Sequence, residues 1–236
     1  MGTTSFPQTT VRLGLGAHDA FVHKCDHIAY FWETEKEFAE AVGFIVEGLK
    51  NRDHCVIFGY EEANQKVLKY LNGRGFNVAR LIAETRVTVL SAAQDGDATL
   101  ASIGATFQEA LTKGAKLIRL LGNIGWNRPH WPAENDIMAF EAKVTEAACA
   151  FPCVVICMYD VRALPGHIIV RGGLETHPVT IRGNVVRVNP YHIPPAEFLD
   201  RLQREKRSKR TSPGKRLKAR KATSTRRTKR KSVGNR

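Results

Sequence analysis

The chain has 236 residues, 43% of them hydrophobic, and a formal net charge of +13 from 36 Lys+Arg against 23 Asp+Glu. The charge is unevenly placed: residues 201–236 hold 17 of the basic side chains and one acid, Glu205, which leaves 19 basic against 22 acidic residues in the first 200. No run nears the ~18 consecutive apolar residues of a membrane span, and no basic start followed by an apolar stretch marks a secretory signal. The five cysteines, Cys25, Cys55, Cys149, Cys153 and Cys157, make an odd count that reads as reduced thiols in a cytoplasmic protein. The body before the tail is long enough for one sizeable core.

Residues 1–25 show little periodicity and read as a loosely held lead-in, the first 20 of them outside the domain. The segment 26–32 (DHIAYFW) is strand-like, and 34–50 carries helical apolar spacing at Phe38, Val42, Ile45, Val46 and Leu49. Thr34 with Glu37 three residues on predicts a capping box. An apolar strand over 54–60 precedes a helix over about 61–71 and a break at Gly73–Gly75. A strand over 85–90, a helix over 100–113, a strand over 116–121 ending at Gly122, a helix over 135–148 and an apolar strand over 153–159 follow. Val179–Arg182 and Val185–Val188 flank Gly183–Asn184 as a hairpin. The prolines of 189–195 (NPYHIPP) exclude helix or central strand, and a terminal helix starts over 195–204 and runs into the basic tail. Strands alternating with helices, several apolar on both faces, predict an α/β domain over 21–203: a mostly parallel sheet flanked by helices, closed by a C-terminal hairpin.

In such a sheet ligands bind beyond the carboxyl ends of the strands. Those ends bring forward Trp32, Asn123 with Trp126 close behind, Tyr159 and Asp160. They read equally as an aromatic pocket with polar anchors or as caps of the core, with Asp160 starting a turn. Phosphate chemistry is disfavoured, because the first predicted strand runs into Glu33-Thr34-Glu35-Lys36 and no glycine follows until Gly43. No cofactor is therefore expected. Cys153 and Cys157 fall on one face of a strand about 13 Å apart, too far to share a zinc ion, so with Cys149 they read as buried structural thiols, and no metal is expected. The eight histidines are scattered, and His27, inside an apolar strand, reads as a core histidine. With no nucleophile elbow and no base–nucleophile pair, an enzyme ranks last.

Taken together, His27 through Phe38, Phe44 with Gly48-Leu49, His54 through Ile57, Ile118 through Asn123 with Trp126, Phe140-Glu141, Cys157 through Asp160, His177-Pro178 and Asn189 through Pro195 resemble the MEDS domain, the sensory domain named for methanogens, methylotrophs and a dichloromethane-responsive repressor. The resemblance runs in order over roughly residues 20–200. It implies a RecA/KaiC-like fold that has lost its phosphate loop, and a non-catalytic role in sensing small organic molecules, hydrocarbon derivatives among them, within signalling or transcriptional systems. It also implies His27, Trp32, Asn123, Trp126, Glu141, Tyr159, Asp160 and His177 as the ligand-binding positions. One departure is Trp32, where members carry Tyr; a larger indole would narrow the pocket.

The tail, 204–236, has almost no apolar anchors and no aromatic residue, so disorder and phosphate neutralisation are expected and base stacking is not. Its nucleic-acid contacts would come from Lys206, Arg207, Lys209, Arg210, Lys215, Arg216, Lys218, Arg220, Lys221, Arg226, Arg227, Lys229, Arg230 and Lys231. The expected partners are a small organic ligand, nucleic acid through the tail and a signalling protein, in the cytoplasm and at the nucleoid where the tail meets DNA. An anionic membrane surface is the second candidate for the tail. The alternative function is a nucleic-acid-associated protein whose body only anchors or dimerises.

Overall fold

A computed structural model describes residues 10–16, 20–93, 95–183 and 185–211. The chain divides into a unit ending at Phe198 and a second one from Leu199 to Arg236.

The first unit is built on a seven-stranded sheet. Its strands are β3 (His27–Trp32), β4 (His54–Gly59), β5 (Val87–Leu90), β6 (Ile118–Asn123), β7 (Cys153–Asp160), β8 (Val179–Arg182) and β9 (Val185–Val188). They lie in the order β5-β4-β6-β7-β3-β8-β9, with every neighbouring pair parallel except β8 and β9. All six residues of β4 and of β6 are buried, as parallel strands covered on both faces must be. The hairpin between β8 and β9 turns at Gly183, whose φ of +55° is the left-handed conformation such turns require. Asn184, expected beside it, lies outside the described residues.

The helices divide between the two faces. Helix α1 (Glu35–Lys50) packs over β4 and β6 with α2 (Glu61–Gly73) beside it. The capping box forms: Thr34 Oγ1 accepts from the Glu37 amide at 3.2 Å, and Glu37 Oε2 accepts from the Thr34 amide at 2.9 Å and from the Glu33 amide at 2.8 Å. On this face Arg119 is buried beneath α1, donating to Asp53 at 2.7 Å and to the Arg12 carbonyl at 2.8 Å. The opposite face carries α4 (Gly96–Thr112) and α5 (Glu134–Ala148), which pack on each other. After β7, a single turn α6 (Gly166–Ile168) leads into a π-helical turn over Ile169–Leu174 that touches α5.

Four expectations need correction. Residues 10–16 and 20–25 are not a loose lead-in: β1 (Thr10–Arg12) and β2 (Phe21–His23) pair antiparallel, and Leu13 and Leu15 between them are buried. A six-residue helix, α3 (Val78–Ala83), stands where no element was predicted; it is capped by the Asn77 side chain. The terminal helix, α7 (Pro195–Thr211), runs into the tail as expected, and it stands over residues 204–211 where disorder was expected. Cys149 is exposed, unlike Cys153 and Cys157.

In the second unit, α7 is stabilised by an Asp200–Arg204 pair one turn apart. Lys206 and Arg207 are exposed on it. Lys209 and Arg210 belong to its backbone, while Lys215, Arg216, Lys218, Arg220, Lys221, Arg226, Arg227, Lys229, Arg230 and Lys231, and the disorder expected there, lie outside the described residues.

Candidate functional site

The pleat decides which predicted residues meet. β3 and β7 run parallel with His27 opposite Val155, Phe31 opposite Tyr159 and Trp32 opposite Asp160. Because side chains alternate, His27 and Phe31 share a face with Cys157 and Tyr159, the face covered by α5, while Trp32 and Asp160 lie on the other. Glu141 and Thr145 stand one turn apart on α5 and reach the same spot. His177 arrives from the segment after the π-helical turn.

Four of these groups converge. Cys157 Sγ lies 3.4 Å from both His27 Nε2 and Glu141 Oε2. Glu141 Oε2 is also 3.3 Å from His27 Nε2 and 3.7 Å from His177 Nε2. His27, Glu141 and His177 are fully buried and Cys157 is 2% exposed. The two imidazole rings sit 3.9 Å apart, centre to centre.

An outer ring of partners sets each proton. The Thr145 hydroxyl donates to the Thr176 carbonyl at 2.8 Å, so at 2.8 Å from His27 it accepts the Nδ1 proton. His177 Nδ1 lies 2.9 Å from the Gly173 carbonyl, which only accepts, so that nitrogen also carries its proton. Both histidines thus turn an Nε2 lone pair toward Glu141 and Cys157, and the His177 lone pair has no hydrogen-bond partner. Asn189 holds this segment by donating to the Leu174 and His177 carbonyls at 2.5 and 2.7 Å.

Burial governs the charges. It pushes His27 and His177 down to about 3, each lowered further by a second imidazole: His192 for His27, and His27 for His177. It raises Glu141, and it raises the Cys157 thiol and Tyr159 phenol well above their ordinary ranges, with Glu141 adding to both. Both imidazoles are therefore neutral near pH 7, and the His–Glu contacts are not ion pairs.

The π-helical turn supplies the acceptors, and its glycines allow the close approach. A Cβ on Gly172 would lie 2.8 Å from the Trp126 ring, and one on Gly173 2.9 Å from Phe31. The Gly172 carbonyl takes hydrogen bonds from Thr176 Oγ1 at 2.5 Å and Tyr159 at 2.6 Å. π-Helical turns of this kind concentrate at functional sites.

Of the eight predicted positions the structure gathers His27, Glu141, Tyr159 and His177, with Trp126 buried against Tyr159 at a ring separation of 6.2 Å. It does not bring in the other three. Trp32 packs edge-on against Phe38 with Lys66 above its ring, on the α1 face. Asp160 accepts from the Arg162 and Ala163 amides and begins a turn. Asn123, at the end of β6, is buried beside Gly59. The expected gathering at the strand ends is replaced by one on the sheet face. Cys157, read as a structural thiol, belongs to the cluster.

Beside the cluster, on the same face, α4, α5 and the sheet form a cleft that is partly open to solvent. Its walls are apolar, with Phe58, Ile103, Phe107, Leu120, Phe140 and Val155 among them, and Cys157 is part of its lining. No helix among the described residues is long and apolar enough to cross a membrane.

No curated protein matches the chain. The family profile of the MEDS domain, described as the methanogen/methylotroph, DcmR sensory domain, matches residues 26–178. That span takes in every strand from β3 to β7 and the whole polar cluster, and covers well over half of the 236 residues. The chain belongs to the MEDS family of sensory domains.

Proposed function

We propose that this protein is a non-catalytic sensor whose small, largely apolar ligand occupies the cleft between α4, α5 and the sheet. The observation that carries the reading is the cleft itself: a partly open apolar cleft, meeting a buried polar cluster at Cys157. A ligand with a hydrocarbon or halocarbon body would lie among the phenylalanines and reach the cluster with one polar or polarisable group. Two observations support a role without catalysis. The thiol is raised away from the thiolate that nucleophilic chemistry needs. Nucleotide binding is opposed at the N-terminus of α1, where the Glu37 carboxylate already holds the amides of Glu33 and Thr34.

The output side of the reading rests on charge. The basic segment would neutralise phosphates of duplex nucleic acid in a salt-sensitive, sequence-independent way and so tie ligand occupancy to a transcriptional or signalling response in the cytoplasm.

The test uses Gly104, which lines the cleft from α4 and where an added Cβ meets nothing within 4 Å. The full chain is screened by ligand-observed NMR against short alkyl and halogenated compounds. Saturable binding in the parent and its loss in Gly104→Leu is the expected result. Binding that survives Gly104→Leu unchanged, or binding and turnover of ATP, would overturn the reading.

A further inference from the structure

The geometry points to a divalent transition-metal site, suited first to Zn²⁺, formed by His27, Glu141, Cys157 and His177. The inference shares Cys157 with the ligand reading and otherwise uses residues that do not line the cleft, His27, Glu141 and His177.

Four of the six donor–donor edges match those of a tetrahedral zinc site. Ligands at the usual zinc distances of ~2.0–2.1 Å for nitrogen or oxygen and ~2.3 Å for sulfur are separated by about 3.3 Å along an N–O edge and about 3.5 Å along an N–S or O–S edge. The N–O separations here are 3.3 and 3.7 Å, and the edges from His27 and Glu141 to Cys157 Sγ are 3.4 Å each. All four donor atoms lie within 4.8 Å of one another. They come from β3, α5, β7 and the segment after the π-helical turn, so the fold itself holds them together.

The outer partners are those a metal ligand needs. Each histidine has its Nδ1 proton bonded outward and its Nε2 lone pair aimed inward. Tyr159 stands 2.9 Å from Glu141 Oε1, the oxygen turned away from the histidines, where it supports the carboxylate while Oε2 binds. The fully buried His177 Nε2 has no hydrogen-bond partner, a cost that coordination removes. Charge balances as well. Binding expels the Glu141 and Cys157 protons to solvent, and M²⁺ with one carboxylate, one thiolate and two neutral imidazoles is a net-neutral unit in a buried place. Two nitrogens, one oxygen and one thiolate suit zinc better than magnesium or calcium, whose preferred ligands are oxygens. Four protein ligands close the coordination shell, as in structural zinc sites.

The test uses the full chain with zinc or cobalt as the probe. Protein purified with added Zn²⁺ and desalted is expected to retain one zinc per chain by plasma mass spectrometry, and so is Cys25→Ser/Cys149→Ser, which removes the accessible thiols. His177→Asn and Cys157→Ser are expected to fall well below stoichiometry. Co²⁺ in the parent should give the intense visible bands of a tetrahedral site with a thiolate charge-transfer band, the latter lost in Cys157→Ser. Tyr159→Phe touches the carboxylate and not the metal, and should keep the stoichiometry with affinity lowered about 10- to 100-fold. Should the ligand variants fail to fold, the cobalt spectrum of Cys25→Ser/Cys149→Ser still decides. A parent without bound zinc and without tetrahedral cobalt bands overturns the proposal, and so does metal retained equally by His177→Asn and Cys157→Ser. Gly104→Leu should keep its zinc, which separates failure of the cleft from failure of the metal site.

Discussion

The Tyr159 hydroxyl stands 2.6 Å from the Gly172 carbonyl oxygen, in the middle of the π-helical turn, and joins that turn to β7. It has a single proton for two oxygen neighbours, the other being Glu141 Oε1 at 2.9 Å. A carbonyl only accepts, so when the tyrosyl proton goes to Gly172 the Glu141 carboxyl must supply its own, which agrees with the upward push that burial gives it. Tyr159→Phe removes the link and leaves a buried carboxyl short of a partner. A stability loss of about 1–3 kcal/mol is expected from urea unfolding. Because Gly172 and Gly173 seat Trp126 and Phe31, the same variant should also alter the Trp126 fluorescence; unchanged stability and emission together would show that the link is not formed.

The empty space over Gly104 makes a prediction with the opposite sign. The residue lies inside α4, carries no unusual backbone angle, and has room for a methyl group. Gly104→Ala should therefore stabilise by up to about 1 kcal/mol through helix propensity, raising Tm by roughly 2–4 °C in a chain of this size. A drop in Tm would mean that the cleft wall is closer than the structure has it.

Much of this arrangement was legible in the chain. The capping box of Thr34 and Glu37, the succession of strands and helices from 26 to 160 apart from α3, and the hairpin at Gly183 all come from local pattern. What escaped lacks local pattern. Strands of three residues, Thr10–Arg12 and Phe21–His23, are too short to show alternation, and the link after β1 is placed by a distant contact, Gly14 against Gly43 and Glu47 of α1. The cluster joins positions 27, 141, 157 and 177, whose spacing says nothing until the sheet register is known. Collecting residues by strand end placed Trp32 with Tyr159, whereas the two-residue period sends Trp32 to the α1 face and leaves Phe31 with Tyr159. Parity along β3 and β7, once they are taken as neighbours, allows His27 and Cys157 to share a face, and the register sets them one pleat apart.

Arg119 explains why the N-terminal hairpin is ordered against the core. Its guanidinium lies 5.0 Å from the Phe44 ring centre, pairs with Asp53 and binds the Arg12 carbonyl. Arg119→Met leaves Asp53 without its counter-charge and the Arg12 carbonyl without its donor, and a loss of about 3–5 kcal/mol is expected by denaturant unfolding. Arg119→Met with Asp53→Leu should recover a large part of it. Equal destabilisation in the single and double variants would mean that packing, and not the unpaired carboxylate, sets the cost.

Cys55 predicts the alkaline limit of stability. Its thiol is fully buried beneath α1, and burial pushes it up to about 12 from an ordinary value of 9.0, against a smaller downward pull from Arg119. Between those values the unfolded chain gives up the thiol proton and the folded chain keeps it, so the folded state binds more protons and stability falls as pH rises. Each pH unit in that window costs about 1.4 kcal/mol for this group. Unfolding free energies measured from pH 8 to 11 should decline, and Cys55→Ala should decline less steeply from its own starting value. A thiol reagent at pH 8 tests the same burial directly: Cys149 and Cys25 should react in the folded protein, and Cys55 only on unfolding. Rapid labelling of Cys55 in the native protein would contradict both the packing of α1 on β4 and the alkaline slope.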